Sequence, residues 1–204
     1  MKTSQNEDKR VKRTKRLLKE TLTDLLLEKD IQQITVKSIV ERADLNRGTF
    51  YLHYTDVYDL LKEIENEVLQ KFDSLAEEYF LTRNADSSYM IGSKAFHYVY
   101  ENKRVCQALF LSQSNRRFIT EFQQIIIRRA LHQGMSQIAF DPDDEKKKEE
   151  AKNLYEYLSC FAAGGLISIL TNWLKAEDPL PPEAMITITD MILYDTLDSR
   201  RLLR

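Results

Sequence analysis

Cysteine, proline and glycine are scarce in this chain: two, four and five among 204 residues. Cys106 and Cys160 stand alone and no CxxC occurs, so neither a structural disulfide nor a zinc site is expected, and a reducing, cytoplasmic setting fits. Each reads as a small buried apolar residue inside a helical pattern. The few glycines build no phosphate-cradling loop, and there is no nucleophile elbow and no HExxH zinc motif. His53, His97 and His132 are too far apart for ligand spacing, so no metal and no cofactor is expected, and an enzyme is not expected either. The N-terminal charges are not followed by an apolar core, unlike a secretory signal. The longest apolar stretch, Tyr157 to Leu174, contains Ser159, Ser168 and Asn172. It sits at the lower limit for crossing a bilayer and reads better as a buried or interface helix, so no membrane partner is expected. With so few turn formers and no regularly spaced β-branched segments, the composition predicts an all-α fold.

What is present is charge, unevenly placed. Charged residues make up 30% and apolar ones 43%, ordinary for a globular protein and too apolar for disorder. The formal net charge of −2 hides an asymmetry: residues 1–19 hold eight Lys or Arg against Glu7 and Asp8, a local +6, whereas residues 61–204 carry a net −4. A basic end on a mildly acidic body suits a chain that touches a polyanion at one end only.

Next to that basic end, Thr35 to Asp56 (TVKSIVERADLNRGTFYLHYTD) reads as a complete helix-turn-helix. Thr35 is a natural N-cap. Val36, Ile39 and Val40 recur at i, i+3, i+4 and give a short helix with one apolar side. Ala43 is small where a second helix approaches, and Asp44-Leu45-Asn46 makes the turn. A second helix follows from about Arg47 to Tyr54, with Thr49, Tyr51 and His53 outward and Phe50 and Tyr54 nearer the core. Two helices joined in this way place the second in the DNA major groove.

These residues resemble the DNA-binding head of the TetR family of transcriptional regulators. The likeness rests on Thr35-Val36, Ile39, Ala43, the run Asn46-Arg47-Gly48-Thr49-Phe50-Tyr51-Leu52-His53-Tyr54 and the Leu60-Leu61 pair, and covers roughly residues 10–62. It implies a three-helix head at 1–55, a larger helical effector-binding and dimerisation domain at 56–204, and a homodimer. It also implies a repressor released from a palindromic double-stranded operator by a small-molecule effector. Two positions depart from the family's usual pattern: many members carry a second aromatic where Leu52 stands and a lysine where Thr55-Asp56-Val57 stand. Asp56 reads as a helix cap instead. A family-fold coactivator working through a protein partner is the alternative.

Helical spacing and breaks predict helices at about 8–28, 56–80, 89–101, 103–112, 115–138, 146–175 and 182–197. The breaks fall at Thr82–Ser88, at the exposed loop Asp141-Pro142-Asp143-Asp144, and at Asp178-Pro179-Leu180-Pro181-Pro182. For DNA, the expected contacts are Thr35, Val36, Lys37, Asn46, Arg47, Gly48, Thr49, Tyr51, His53 and Tyr54. Arg47 and Thr49 are the base readers, since a guanidinium suits guanine and a threonine methyl suits thymine. Gly48 leaves room for close backbone approach. Lys9, Arg10, Lys12, Arg13, Lys15 and Arg16 are expected to engage phosphates, or to reach a minor groove if the extreme N-terminus is an arm, while His53 and Tyr54 fit phosphate anchoring by resemblance to the family. Family likeness further suggests that Phe96, Phe110, Phe118, Phe122, Tyr155 and Phe161 surround a cavity for an apolar or aromatic effector. Gly164-Gly165 inside a helix costs about 1 kcal/mol per residue against alanine, which a close helix neighbour explains. That neighbour is either a bulky group of the same subunit or a second copy. With Asn172-Trp173-Leu174 after it, the segment resembles the penultimate helix of a TetR-family subgroup common in low-GC Gram-positive bacteria, which implies the second copy and a four-helix dimer interface with Gly164, Gly165, Ile169, Trp173, Ile188 and Ile192.

Overall fold

In the computed structural model, residues 2–81, 85–112, 114–136 and 145–197 are described, with side chains at 9–79, 92–112, 114–132, 145–189 and 191. They are all-α, with no strand among the described residues. The helices are α1 (Lys2–Glu28), α2 (Val36–Arg42), α3 (Arg47–Tyr51), α4 (Val57–Leu81), α5 (Ala85–Glu101), α6 (Lys103–Phe110), α7 (Arg116–Ser136), α8 (Glu145–Lys175) and α9 (Pro182–Leu197). A 3₁₀ turn at Ile31–Gln33, which periodicity does not announce, joins α1 to α2, with Asp30 accepting from the Gln32 amide. The polar run expected to break the chain at 82–88 is partly helical: α5 already begins at Ala85, and 82–84 lie outside the described residues. The Asp141–Asp144 loop also lies outside them.

The chain divides into two compact units, Met1–Val68 with Arg104–Asn115, and Leu69–Lys103 with Arg116–Arg204. In the first, Leu18, Leu22, Ile39, Phe50 and Leu60 are fully buried and form the centre of the head. The expected boundary at 55/56 falls inside this unit, because Leu60, Leu61, Ile64 and Val68 of α4 are buried as well. α6 and the turn after it belong here too: the Arg104 guanidinium donates to Asp24 of α1 at 3.2 Å, and the Ser114 hydroxyl donates to Asp30.

In the second unit α7 packs on α8, and α9 packs on both α5 and α8. Phe72 of α4 meets Tyr98 and Phe122 edge-on, at centroid distances of 5.6 and 4.9 Å. The Arg129 guanidinium forks onto Asp73, with Nε–Oδ1 at 3.0 Å and Nη2–Oδ2 at 2.9 Å, which fixes α7 to the second part of α4.

Candidate nucleic-acid interface

The helix-turn-helix is held by its caps. The Thr35 hydroxyl accepts from the Ser38 amide at 3.1 Å while the Ser38 hydroxyl oxygen accepts from the Thr35 amide at 3.1 Å, a reciprocal box that starts α2. α2 ends at Ala43, and Asp44 then takes the left-handed conformation (φ 52°), which a short acidic side chain tolerates better than most. Asn46 caps α3 by accepting from the Gly48 amide at 3.1 Å. The ring of Phe50 is sunk in the core, with Tyr51 edge-on to it at 5.6 Å and Tyr54 at 5.8 Å.

This anchoring leaves Arg47 and Gly48 exposed, Thr49 and His53 half-buried, and Tyr51 58% exposed at the outer surface of α3. A methyl group built on Gly48 would meet only the Asn46 side-chain oxygen, at 3.8 Å, so the fold itself does not require a glycine there. Beside α3, Thr35 and Lys37 are exposed and Val36 is half-buried at the start of α2, with Lys37 3.7 Å from Glu41. Of the two roles open to Tyr54, nearer the core or phosphate anchor, the structure takes the first. The residue is 3% exposed, in the core, and its hydroxyl is not presented for phosphate. Burial first, and then the neighbouring Glu63, raise its pKa above the ordinary tyrosine value.

Lys15 also departs from the phosphate role. Its ammonium lies 5.2 Å from the centroid of the Tyr54 ring and 2.8 Å from Glu63 of α4. Lys19, one turn on, bonds Glu63 at 2.7 Å and also reaches Glu67. Partial burial alone would raise the Glu63 pKa, but hydrogen bonds from Lys15 and Lys19 outweigh it and hold the carboxyl below its usual range. Sequence reading missed this ladder because its partners are 48 residues apart; only the i, i+4 repeats of Lys15/Lys19 and Glu63/Glu67 hint at it. At the start of α4, Asp56 accepts from the Asp59 amide at 2.8 Å and Asp59 accepts from the Thr55 amide at 3.0 Å, while Val57 is buried. Asp56 is a cap, as expected. Leu52, at 79%, is the most exposed of the large apolar residues with described side chains.

In the second unit Phe96, Phe118, Phe122 and Tyr155 are all buried. Phe118, Phe122, Phe72 and Tyr98 pack ring on ring, whereas Phe96 meets Trp173 edge-on at 5.5 Å. Phe110 is buried in the first unit. Phe161 and Trp173 exchange the places expected of them. Trp173 is 6% exposed and donates its indole N–H to the Leu180 carbonyl at 2.7 Å, so it is core and not interface. Phe161 is 66% exposed, so it does not line an interior cavity. The two stand 12 residues apart on a helix apolar nearly all round, where spacing does not say which side faces inward.

Phe161 lies instead on an outer face of α8 that includes Tyr157 and Gly164, close to a groove of about 250 Å³ lined by Phe161, Ala162, Gly165, Ile169 and Thr189 among others. Ile188 and Met191 of α9 are exposed as well, and Ile192 lies outside the described side chains. Methyl groups built on Gly164 and Gly165 would meet nothing within 4 Å. Among the described residues no bulky neighbour of the same subunit therefore needs the space. Among the described residues no three His, Cys, Asp or Glu side chains stand together as a metal site.

A TetR-family model described as a transcriptional regulator C-terminal region matches residues 86–195, more than half of the chain. The uncharacterized HTH-type transcriptional regulator YxbF of Bacillus subtilis (strain 168) is 25% identical over 174 residues. That match takes in 82% of this chain and 41% of the relative, so the chain spans less than half the length of the curated relative it matches. Among solved structures, a TetR transcriptional regulator from Streptococcus agalactiae 2603V superposes with a TM-score of 0.61 at 19% identity, covering 93% of this chain and 98% of that one. NalD, the secondary repressor of the MexAB-OprM multidrug efflux pump in Pseudomonas aeruginosa, gives 0.59 at 16%, covering 92% and 96%. At these identities the solved structures speak for the fold.

Proposed function

The chain belongs to the TetR family of transcriptional regulators, and from that premise we propose that it is a homodimeric repressor that binds a palindromic DNA operator and leaves it when a small apolar or aromatic effector binds the second unit. The observation that carries the reading is the outer surface of α3, where Arg47, Gly48, Thr49 and Tyr51 are held outward by the sunken Phe50 ring. A guanidinium, a threonine methyl and a tyrosine hydroxyl are the groups that distinguish base edges, and an exposed glycine admits the duplex closely. Thr35, Lys37 and His53 are the phosphate anchors beside it. Among the structural neighbours NalD is named a repressor, whereas DhaS is named an operon activator.

Dimerisation follows from what α8 leaves uncovered. An 18-residue stretch of it is apolar enough to pass for a membrane-crossing helix by composition, with a mean hydropathy of 1.4, yet only 33% of that stretch is buried inside the chain. A second copy covering Tyr157, Phe161, Gly164, Ile188 and Met191 removes that apolar surface from water. Two copies of α3 then stand about 34–36 Å apart, or a multiple, to enter successive major grooves. α4 supplies residues to both compact units, so an effector that prefers one setting of α4 changes the α3 spacing. Equal affinity for both settings would shift nothing. The test is selection of bound duplexes from a genomic pool with the purified full chain. An enriched inverted repeat supports the reading, and a pool with no enriched sequence refutes it.

The coactivator reading draws on the start of α4, where Asp56 and Asp59 stand and Val57 is buried in place of the family's usual lysine. The same selection separates the two, because a coactivator acting only through a protein enriches no duplex.

A further inference from the structure

We propose that Leu52 is a base-reading residue, packing its isobutyl group on the C5-methyl of one thymine in each operator half-site. This rests on α3 being the DNA-reading helix. Leu52 closes that helix: its amide donates to the Gly48 carbonyl at 3.1 Å, and its backbone stays right-handed helical (φ −69°, ψ −19°). Its direction is therefore set by the helical rotation of about 100° per residue. Counted from the buried Phe50, Gly48 and Leu52 each lie about 160° round, one on either side of the line pointing straight out of the head. Thr49 and Tyr51 lie about 100° round, on the flanks. Exposure follows that order, with Leu52 at 79%, Tyr51 at 58% and Thr49 half-buried. Gly48 has no side chain, so Leu52 carries the only one on the outermost line of α3. Whatever α3 enters, Leu52 enters it first.

The chemistry of this tip selects what it touches. An isobutyl group has neither donor nor acceptor, so it can bond no phosphate and read no base edge by hydrogen bonding. The apolar feature of the major groove is the thymine methyl group. From Asn46 to Tyr54 the chain carries Arg47 and His53 and no carboxylate, so no negative charge opposes entry of the tip between two phosphate strands. One turn before Leu52, a methyl group built on Gly48 would meet only the Asn46 oxygen, at 3.8 Å, which leaves the surface beside the leucine open to the duplex. Leu52 stands about 4.5 Å along the helix axis from Thr49. That is between one and two base steps of about 3.4 Å, so the thymine that Leu52 meets is a different one from any that faces Thr49.

The test replaces the thymines of the selected inverted repeat by deoxyuridine one at a time, which removes only the C5-methyl, and follows binding of the full chain by fluorescence anisotropy. For wild type, one thymine in each half-site is expected to weaken binding about fourfold on losing its methyl group, the factor for burying one such group. Leu52→Ala should bind the thymine and deoxyuridine forms of that position alike, and keep the wild-type response at any thymine that faces Thr49. Leu52→Asn, close to leucine in size but polar, should lose the same discrimination. Wild-type affinity and discrimination in Leu52→Ala, the outcome if Leu52 instead meets a protein, overturns the proposal. So does a Leu52→Ala that loses affinity yet still responds to every thymine methyl group as wild type does. A selected repeat without thymine in its half-sites, or a wild type that prefers the repeat but is indifferent to every thymine methyl group, overturns it and leaves the α3 reading intact. A wild type with no preference for the repeat overturns both.

Discussion

Gly164→Ala should make the protomer more stable and the dimer weaker, a combination expected where the Gly164-Gly165 pair serves a contact with a second copy. Gly164 lies inside α8 on its exposed face, and nothing in its own chain comes within 4 Å of an added methyl group. In isolation the substitution therefore gains the helix propensity of alanine over glycine, about 1 kcal/mol. If a second copy packs α8 at close range, each added methyl group overfills the contact at about 1–3 kcal/mol. Twofold symmetry introduces it twice, for about 2–6 kcal/mol against association, so the dimer dissociation constant should rise roughly thirtyfold or more. Sedimentation over a nanomolar-to-micromolar range measures the second quantity, and urea unfolding of a dilute, monomeric sample the first. A more stable protomer with an unchanged or tighter dimer would refute the close α8 contact. Loss of protomer stability would refute the open space around Gly164.

Phe161→Asp puts a charge on the same uncovered face and should leave a folded monomer by light scattering; persistence of the dimer would remove Phe161 from the interface. Arg47→Ala should weaken binding to the selected operator by about 1–3 kcal/mol and relax preference at one base of each half-site, measured by competition with operator variants. Equal loss on operator and scrambled duplex would contradict a base-reading role. Gly48→Ala should cost DNA affinity with no loss of melting temperature, since a methyl group there meets only the Asn46 oxygen at 3.8 Å; a variant that melts lower yet binds normally would reverse that assignment. The Asp73 carboxyl is held below its ordinary range by the Arg129 guanidinium against an opposing but smaller effect of burial. A depressed folded value stabilises fully above the ordinary carboxylate pKa of about 4 and is lost as pH falls below it. Arg129→Met should therefore flatten the acid side of the stability–pH curve below about pH 4, and an unchanged acid limb would show that the pair does not contribute.

Local features of the head were legible in sequence and longer-range ones were not. Thr35 and Asp56 act on amides three residues away, so their capping roles follow from residue type and position alone, while Asn46, read as part of the turn, proves to cap α3. The Lys15–Glu63 pair spans 48 residues, and a run of six cations offers no local sign that one of them is spent on an internal carboxylate. Tyr54 was ambiguous for a related reason: an aromatic at the end of a short helix has a face for the core and a hydroxyl for water, and only the packing against Phe50 decides between them. In α8 the limit was phase. Apolar residues occur on nearly every side, so Phe161 and Trp173 could not be assigned inward or outward until α5, α7 and α9 were in place around them.

The most direct measurement is an anisotropy titration of the purified chain, freed of any co-purified small molecule, on its selected inverted-repeat duplex and on a scrambled duplex of the same composition at physiological salt. Recognition by α3 predicts tighter binding to the repeat by about a thousandfold or more, with two chains bound per duplex. Equal affinity for the two duplexes would contradict it.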